Sequence, residues 1–109
     1  MKFKIILSDE FSTAFKKLKK RHRSLVTDFA KLIESLENGA STGVNLFDDV
    51  FKVRMSISSK NQGKSGGARV IVRIQIINDT LKFIYIYDKS DMQNVNDDYL
   101  KFIINNMDE

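Results

Sequence analysis

The spacing of the apolar residues changes along the chain, and this change constrains the fold more than any other feature of the sequence. Apolar side chains first recur at helical spacing in two stripes, namely Phe11, Ala14, Phe15 and Leu18, then Leu25, Phe29, Leu32, Ile33 and Leu36. Between residues 51 and 89 they follow the alternating and β-branched patterns typical of strands. Because helices and strands are grouped apart, the pattern predicts an α+β fold, in which a small antiparallel β-sheet carries a helical hairpin packed on one face.

The remaining elements follow from shorter signals. An alternating segment at residues 2–7 predicts a first strand, and Ser8 is suited to cap the first helix. Three more strands are predicted at 51–57, 68–77 and 81–89, with a last helix after Asn96, whereas 40–50 is predicted to be a connection. The predicted order is therefore β-α-α-β-β-β-α. A chain of 109 residues with 42% hydrophobic residues builds one core, so we expect a single domain over residues 1–109.

The composition excludes several kinds of active site. The chain has no cysteine, which excludes disulfides, a thiolate nucleophile and a cysteine-rich zinc site. His22 is the single histidine, so a two-histidine acid–base pair is also excluded. We expect no metal and no cofactor, and proton donors would come from Lys, Arg, Tyr, Asp or Glu. No apolar stretch has the length of a signal peptide or a membrane span, so we expect a cytoplasmic protein without a membrane partner.

Positive charge is concentrated in the strand region. Residues 52–89 contain eight basic and two acidic side chains, whereas residues 90–109 contain one basic and five acidic ones. Because side chains alternate between the faces of a strand, the period predicts that basic and tyrosine side chains share the face away from the helices, namely Lys52, Arg54, Arg69, Arg73, Tyr85, Tyr87 and Lys89. The same period places Phe83 on this face and Ile84 on the helical face. An ordinary solvated sheet surface is the alternative interpretation.

This set of side chains has the chemistry needed to bind RNA and to cleave it. Arginine and lysine neutralise phosphates, and tyrosine stacks on bases. RNA also carries its own nucleophile, the 2′-hydroxyl. A metal-free ribonuclease therefore needs only cations that stabilise the charge on the phosphorane, together with a lysine or tyrosine that transfers protons.

Three motifs in and beside these strands carry a resemblance to a known family. They are Val53-Arg54, then Gly63-Lys64-Ser65-Gly66-Gly67-Ala68-Arg69-Val70-Ile71, and finally Tyr85-Ile86-Tyr87-Asp88-Lys89-Ser90. Together they resemble the RelE/ParE superfamily of toxins from type II toxin–antitoxin modules, and within it the HigB-like branch. The resemblance implies the fold derived above and a ribosome-dependent, metal-independent endoribonuclease. Such an enzyme cleaves mRNA through attack of the 2′-hydroxyl on the adjacent phosphate and thereby inhibits translation.

The resemblance also implies roles for individual residues. Arg69 would hold the scissile phosphate with support from Arg54, while Tyr87 or Lys89 would transfer protons. These four are the predicted catalytic residues. The predicted RNA-binding residues are Lys52, Lys64, Arg73 and Tyr85.

The implied partners are a cognate antitoxin protein, the ribosome and mRNA, with operator DNA contacted only through the antitoxin. Two other functions stay open at this point. The superfamily includes non-enzymatic ParE-like toxins that target DNA gyrase, and a non-toxic RNA- or protein-binding module would also fit the fold. The combination of Arg69, Tyr87 and Lys89 favours the ribonuclease over the gyrase toxin.

Overall fold

The observed helices and strands follow the chain in nearly the order that the sequence patterns predict. The structure, a computed structural model, describes residues 2–39, 43–60 and 66–107. Its elements are β1 (Lys4–Leu7), α1 (Asp9–Arg21), α2 (Leu25–Glu37), β2 (Val44–Phe47), β3 (Val50–Met55), a 3₁₀ turn (Ser58–Lys60), β4 (Ala68–Gln75), β5 (Thr80–Asp88) and α3 (Asp97–Asn105). The α+β fold class is thus confirmed. Within the described ranges, no helix is long and apolar enough to cross a membrane.

The sheet has five strands in the order β1-β5-β4-β3-β2. The pairs β2–β3, β3–β4 and β4–β5 are antiparallel, but β1 runs parallel to β5, so the sheet is mixed at that edge. Strand β2 lies in the segment predicted to be a connection. Three of its four residues pair with β3 across a turn in which Asp48 has a φ of 45°, and so short an edge strand carries too little alternation to be recognised.

The helical hairpin α1–α2 packs on one face of the sheet, as predicted. Phe83 on β5 is fully buried there, with its ring centroid 4.8 Å from that of Phe29 and 5.6 Å from that of Phe11. Ser8 caps α1 as expected, because its Oγ accepts a hydrogen bond from Phe11 N at 2.9 Å. The same hydroxyl donates to Ile84 O at 2.6 Å, which ties the start of the hairpin to β5.

The opposite face is partly covered by α3, whose Leu100 and Ile103 pack on Ile71 and Ile84. This arrangement corrects the prediction for Phe83 and Ile84, which lie on the faces opposite to those expected. The pairing of β4 with β5 passes from Ile71–Tyr85 to Val72–Phe83 and skips Ile84. A β-bulge of this kind adds one residue to a strand. Residues before the bulge therefore point to the face opposite to the one that uninterrupted alternation predicts.

Candidate functional site

Three of the predicted catalytic residues form one row across the sheet. Arg54 on β3 is paired with Arg69 on β4, and Arg69 is paired with Tyr87 on β5. Side chains on directly paired residues start about 5 Å apart on the same face. Lys89 follows two residues after Tyr87, and its N–H donates to Gly67 O at 3.0 Å, which continues the β4–β5 ladder past the end of the row. Strand pairing alone therefore brings the four residues together.

A cavity of about 520 Å³ lies beside this row. Four basic side chains line it, namely Lys52, Arg54, Arg69 and Lys89. Its other walls come from four segments of the chain. They are α2 (Leu32 and Ser35), the start of β2 (Gly43 and Val44), β3 (Val53) and the loop after β5 (Gln93). In the part of the chain that the structure describes, no acidic residue contributes to the lining. The cavity thus has the charge and size to take a phosphate group with part of its nucleotide.

Arg69 is held in an electrostatically unfavourable position. Its side chain is buried, with 5% of the residue exposed, and NH1 donates a hydrogen bond to Ala68 O at 3.1 Å. Burial lowers the pKa of the Arg69 guanidinium, and the positive charge of Arg54 lowers that pKa further, while Tyr87 acts in the opposite direction. Two guanidinium groups side by side repel each other. An anion bound between them would relieve that repulsion.

Tyr87 is less accessible than its neighbours in the row. It is only 3% exposed because it packs in the same cluster as Leu100 and Ile103 of α3. Its hydroxyl donates to the main-chain carbonyl of Gln93 at 3.1 Å. Burial raises the pKa of the Tyr87 hydroxyl, and Arg69 offsets part of that rise, so the group stays neutral at physiological pH. Lys89, by contrast, is exposed and lines the cavity.

The predicted RNA-binding residues do not all lie at this cavity. Lys52 does, and its Nζ donates to Asn94 Oδ1 at 2.9 Å. Arg73 lies farther along β4, where its Nε is paired with Asp49 Oδ1 at 2.6 Å. Ile71 stands between Arg69 and Arg73 and is covered by α3, which explains the separation.

Tyr85 also lies outside the cavity lining. It faces a separate groove of about 450 Å³ between α1 and α3, with its ring centroid 5.9 Å from that of Tyr99. Lys64 falls outside the residues that the structure describes.

Some residues at the cavity carried no recognisable signal in the sequence. Gln93 supplies both a wall of the cavity and the carbonyl that binds Tyr87, but a polar residue after a strand is common in any loop. Gly43 has a φ of 79°, and a Cβ at this position would lie 2.2 Å from Lys52 O. A glycine in a predicted connection was the one available hint of this close approach. Across the described part of the chain, no three His, Asp or Glu side chains are grouped to hold a metal ion.

Comparison with known proteins supports the fold. Two of the solved structures that share it are of the E. coli toxin RelE. One is a mutant of RelE in the free state, which is 16% identical in sequence to this chain. The superposition covers 85% of this chain and 90% of the RelE chain, with a TM-score of 0.58. The other is the isolated RelE toxin, which is 14% identical. That superposition covers 96% of this chain and 99% of the RelE chain, with a TM-score of 0.56.

A search of curated proteins returned no match. The family model described as the RelE toxin of the RelE/RelB toxin–antitoxin system, however, matches residues 11–106. That match spans nearly the whole chain, including every strand of the candidate site. The protein therefore belongs to the RelE family of toxins from toxin–antitoxin systems.

Proposed function

We propose that this toxin is an mRNA interferase, a ribonuclease that cleaves mRNA on the ribosome through the RNA's own 2′-hydroxyl. The observation that carries the proposal is the cavity lined by Lys52, Arg54, Arg69 and Lys89. Such a site is suited to a polyanion whose phosphate gains negative charge during the reaction. A surface used only to dock another protein has no need for two guanidinium groups placed side by side, since that placement costs stability.

In the proposed reaction, Arg69 and Arg54 bind the two non-bridging oxygens of the scissile phosphate. The 2′-hydroxyl oxygen attacks the phosphorus and loses its proton to water, and the bond from phosphorus to the 5′-oxygen breaks. The products are a 2′,3′-cyclic phosphate and a free 5′-hydroxyl. The guanidinium groups stabilise the phosphorane because its oxygens carry more negative charge than those of the ground state.

We assign proton donation to Lys89 rather than to Tyr87. Lys89 is exposed at the cavity, so its ammonium group can reach and protonate the leaving 5′-oxygen. The Tyr87 hydroxyl is buried and already donates its proton to Gln93 O. In this assignment Tyr87 holds Gln93 against the row and stands beside Arg69 as its partner on β5.

Lys52 would bind a phosphate next to the scissile one, because it lies on the same cavity wall two residues before Arg54. The family resemblance gives Lys64 a similar role. Arg73 and Tyr85 lie outside the cavity lining, so any contact they make with RNA would involve nucleotides away from the cut. The HigB-like branch is the assignment within the family that the motifs favour.

Membership in the family implies a cognate antitoxin as a partner. We propose the ribosome and mRNA as the further partners, with activity in the cytoplasm and operator DNA reached only through the antitoxin. A toxin of the same fold that acts on DNA gyrase is the competing proposal, and it requires no cleavage of RNA.

Expression without antitoxin, followed by primer extension on cellular mRNA, tests the proposal. We expect growth arrest and new 5′ ends within translated codons. Arg69→Ala should abolish both effects, whereas Arg23→Ala, which removes an exposed arginine from the turn between α1 and α2, should preserve them. Intact mRNA together with accumulating gyrase–DNA breaks would instead support the gyrase toxin.

A further inference from the structure

The last residue of β5, Asp88, is a fully buried carboxylate that the proposed reaction does not use. Its Oδ2 accepts hydrogen bonds from His22 Nε2 at 2.9 Å and from Arg21 NH2 at 3.3 Å. Its Oδ1 accepts from Lys60 Nζ at 2.9 Å and from both the N–H and the hydroxyl of Ser90, at 2.9 and 2.7 Å. One side chain thus joins the end of α1, the 3₁₀ turn after β3 and the turn after β5.

A second buried carboxylate holds the same 3₁₀ turn from the other side. Asp28 on α2 accepts hydrogen bonds from the N–H and the hydroxyl of Ser58 at 2.9 and 2.6 Å, and from Ser24 Oγ at 2.7 Å. Ser24 Oγ in turn accepts from Ser59 N at 2.9 Å. The turn is therefore fixed to α2 by Asp28 and to the end of β5 by Asp88.

The two carboxylates differ in their relation to the candidate site. Asp88 stands between Tyr87 and Lys89 in the chain. Its contact with Lys60, in the 3₁₀ turn that follows β3, joins the end of β5 to the segment after Arg54. It therefore connects the ends of both strands that flank Arg69. Asp28 reaches the turn from the hairpin, and its hydrogen bonds among the described residues go to Ser24 and Ser58 rather than to β5.

The surroundings of Asp88 keep it ionised. Hydrogen bonds from Ser90, Lys60 and His22 outweigh the effect of burial, and they hold the pKa of the Asp88 carboxyl well below its usual range. Three basic groups from two segments, the end of α1 and the 3₁₀ turn, converge on this one negative charge. Its loss would remove the carboxylate that Lys60 and His22 share, whereas Arg21 would keep its ion pair with Asp91.

We propose that Asp88 is a positioning residue, whose carboxylate locks the end of β5 against the 3₁₀ turn and so directs the Lys89 side chain toward the cavity. The inference rests on the proposed ribonuclease function, because the role of Lys89 belongs to that function. The hydrogen bonds of Asp88 fix the backbone on either side of it. A small shift of that backbone would move the Lys89 ammonium group away from the leaving oxygen while leaving Arg54 and Lys52 free to bind RNA.

Two matched variants of the full-length toxin separate positioning from general stability. Asp88→Asn and Asp28→Asn each neutralise one buried carboxylate that holds the same turn. We would measure single-turnover cleavage of mRNA on purified ribosomes, over a range of toxin concentrations, for variants shown to be folded at the assay temperature. Asp88→Asn should lower the rate at saturation by about 10²-fold, the cost of a displacement near 1 Å, with the half-saturating concentration within about twofold of wild type. Asp28→Asn should retain the wild-type rate within a factor of about three.

Amide hydrogen exchange at Lys89 provides a second readout that does not depend on activity. The Lys89 N–H is bonded to Gly67 O, so its exchange should accelerate in Asp88→Asn and not in Asp28→Asn. Should Asp88→Asn fail to fold, Lys60→Gln removes one contact of the same carboxylate and should show both effects in weaker form. If wild-type toxin leaves mRNA intact, the proposed function fails, and the exchange data alone decide whether Asp88 positions Lys89. An unchanged saturating rate in Asp88→Asn, an equal loss in both variants, or unchanged exchange at Lys89 would overturn the inference.

Discussion

Replacing Arg54 by glutamine should make the folded toxin more stable while it slows cleavage of mRNA. Arg54 is exposed, and its charge lowers the pKa of the buried Arg69 guanidinium beside it. Arg54 and Arg69 are directly paired, and side chains on paired residues start about 5 Å apart. Two like charges roughly 6 Å apart repel by about 0.7 kcal/mol in water and by about 3 kcal/mol at an effective dielectric constant of 20. The lower figure applies here because solvent screens the exposed Arg54. Arg54→Gln should therefore raise the free energy of unfolding by about 0.7 kcal/mol.

For a chain of 109 residues, that gain corresponds to a rise of about 3 °C in Tm. Calorimetry at low ionic strength would measure it, and Arg23→Gln, which changes an exposed arginine of the interhelical turn, is the control for loss of a surface charge. The gain should disappear in 1 M salt, where the screening length is about 3 Å. A lower Tm for Arg54→Gln, or a gain that persists in 1 M salt, would refute the claim that the two guanidinium groups repel each other in the free toxin.

Three further outcomes follow from contacts elsewhere in the fold. Phe83→Ala should lower the free energy of unfolding by about 3–5 kcal/mol in urea titrations, because it empties the centre of the aromatic core. Gly43→Ala should cost more than about 1 kcal/mol in the same assay and also slow cleavage, since the added Cβ meets Lys52 O at the cavity wall. The depressed pKa of Asp88 contributes stability that is complete above the carboxyl's unfolded pKa and is lost as pH falls below it. Wild type should therefore lose stability below about pH 4 more steeply than Asp88→Asn, as measured by Tm across pH.

Much of the fold and of the row across the sheet was predictable because it depends on local periodicity. The alternation around Arg54 and Arg69 is uninterrupted, so counting by two places both residues on the same face. Tyr87 and Lys89 follow the bulge in β5, and their spacing relative to each other is unaffected by it. The cap formed by Ser8 was likewise predictable, because its side chain bonds a residue only three positions away.

The features that sequence patterns missed arise from contacts between distant segments. Phe83 and Ile84 are both large and apolar, so nothing in their identity reveals which one the pairing skips. The burial of Tyr87 and the separation of Arg73 from the cavity both depend on where α3 packs. The apolar residues of α3 show which of its faces is buried, but not where on the sheet the helix lies. The position of Asp88 shows the same limit, since its basic partners lie 28 to 67 residues away in sequence.

The central claim is that the cavity beside Arg69 cleaves RNA through the RNA's own 2′-hydroxyl. Its most direct test is an mRNA that carries a single 2′-deoxynucleotide on the 5′ side of the cut, presented to the toxin on purified ribosomes. We predict that the unmodified mRNA is cut to a 2′,3′-cyclic phosphate and a 5′-hydroxyl end, and that the single substitution abolishes cleavage at that position. Undiminished cleavage of the substituted mRNA, or products that end in a 5′-phosphate, would contradict the mechanism.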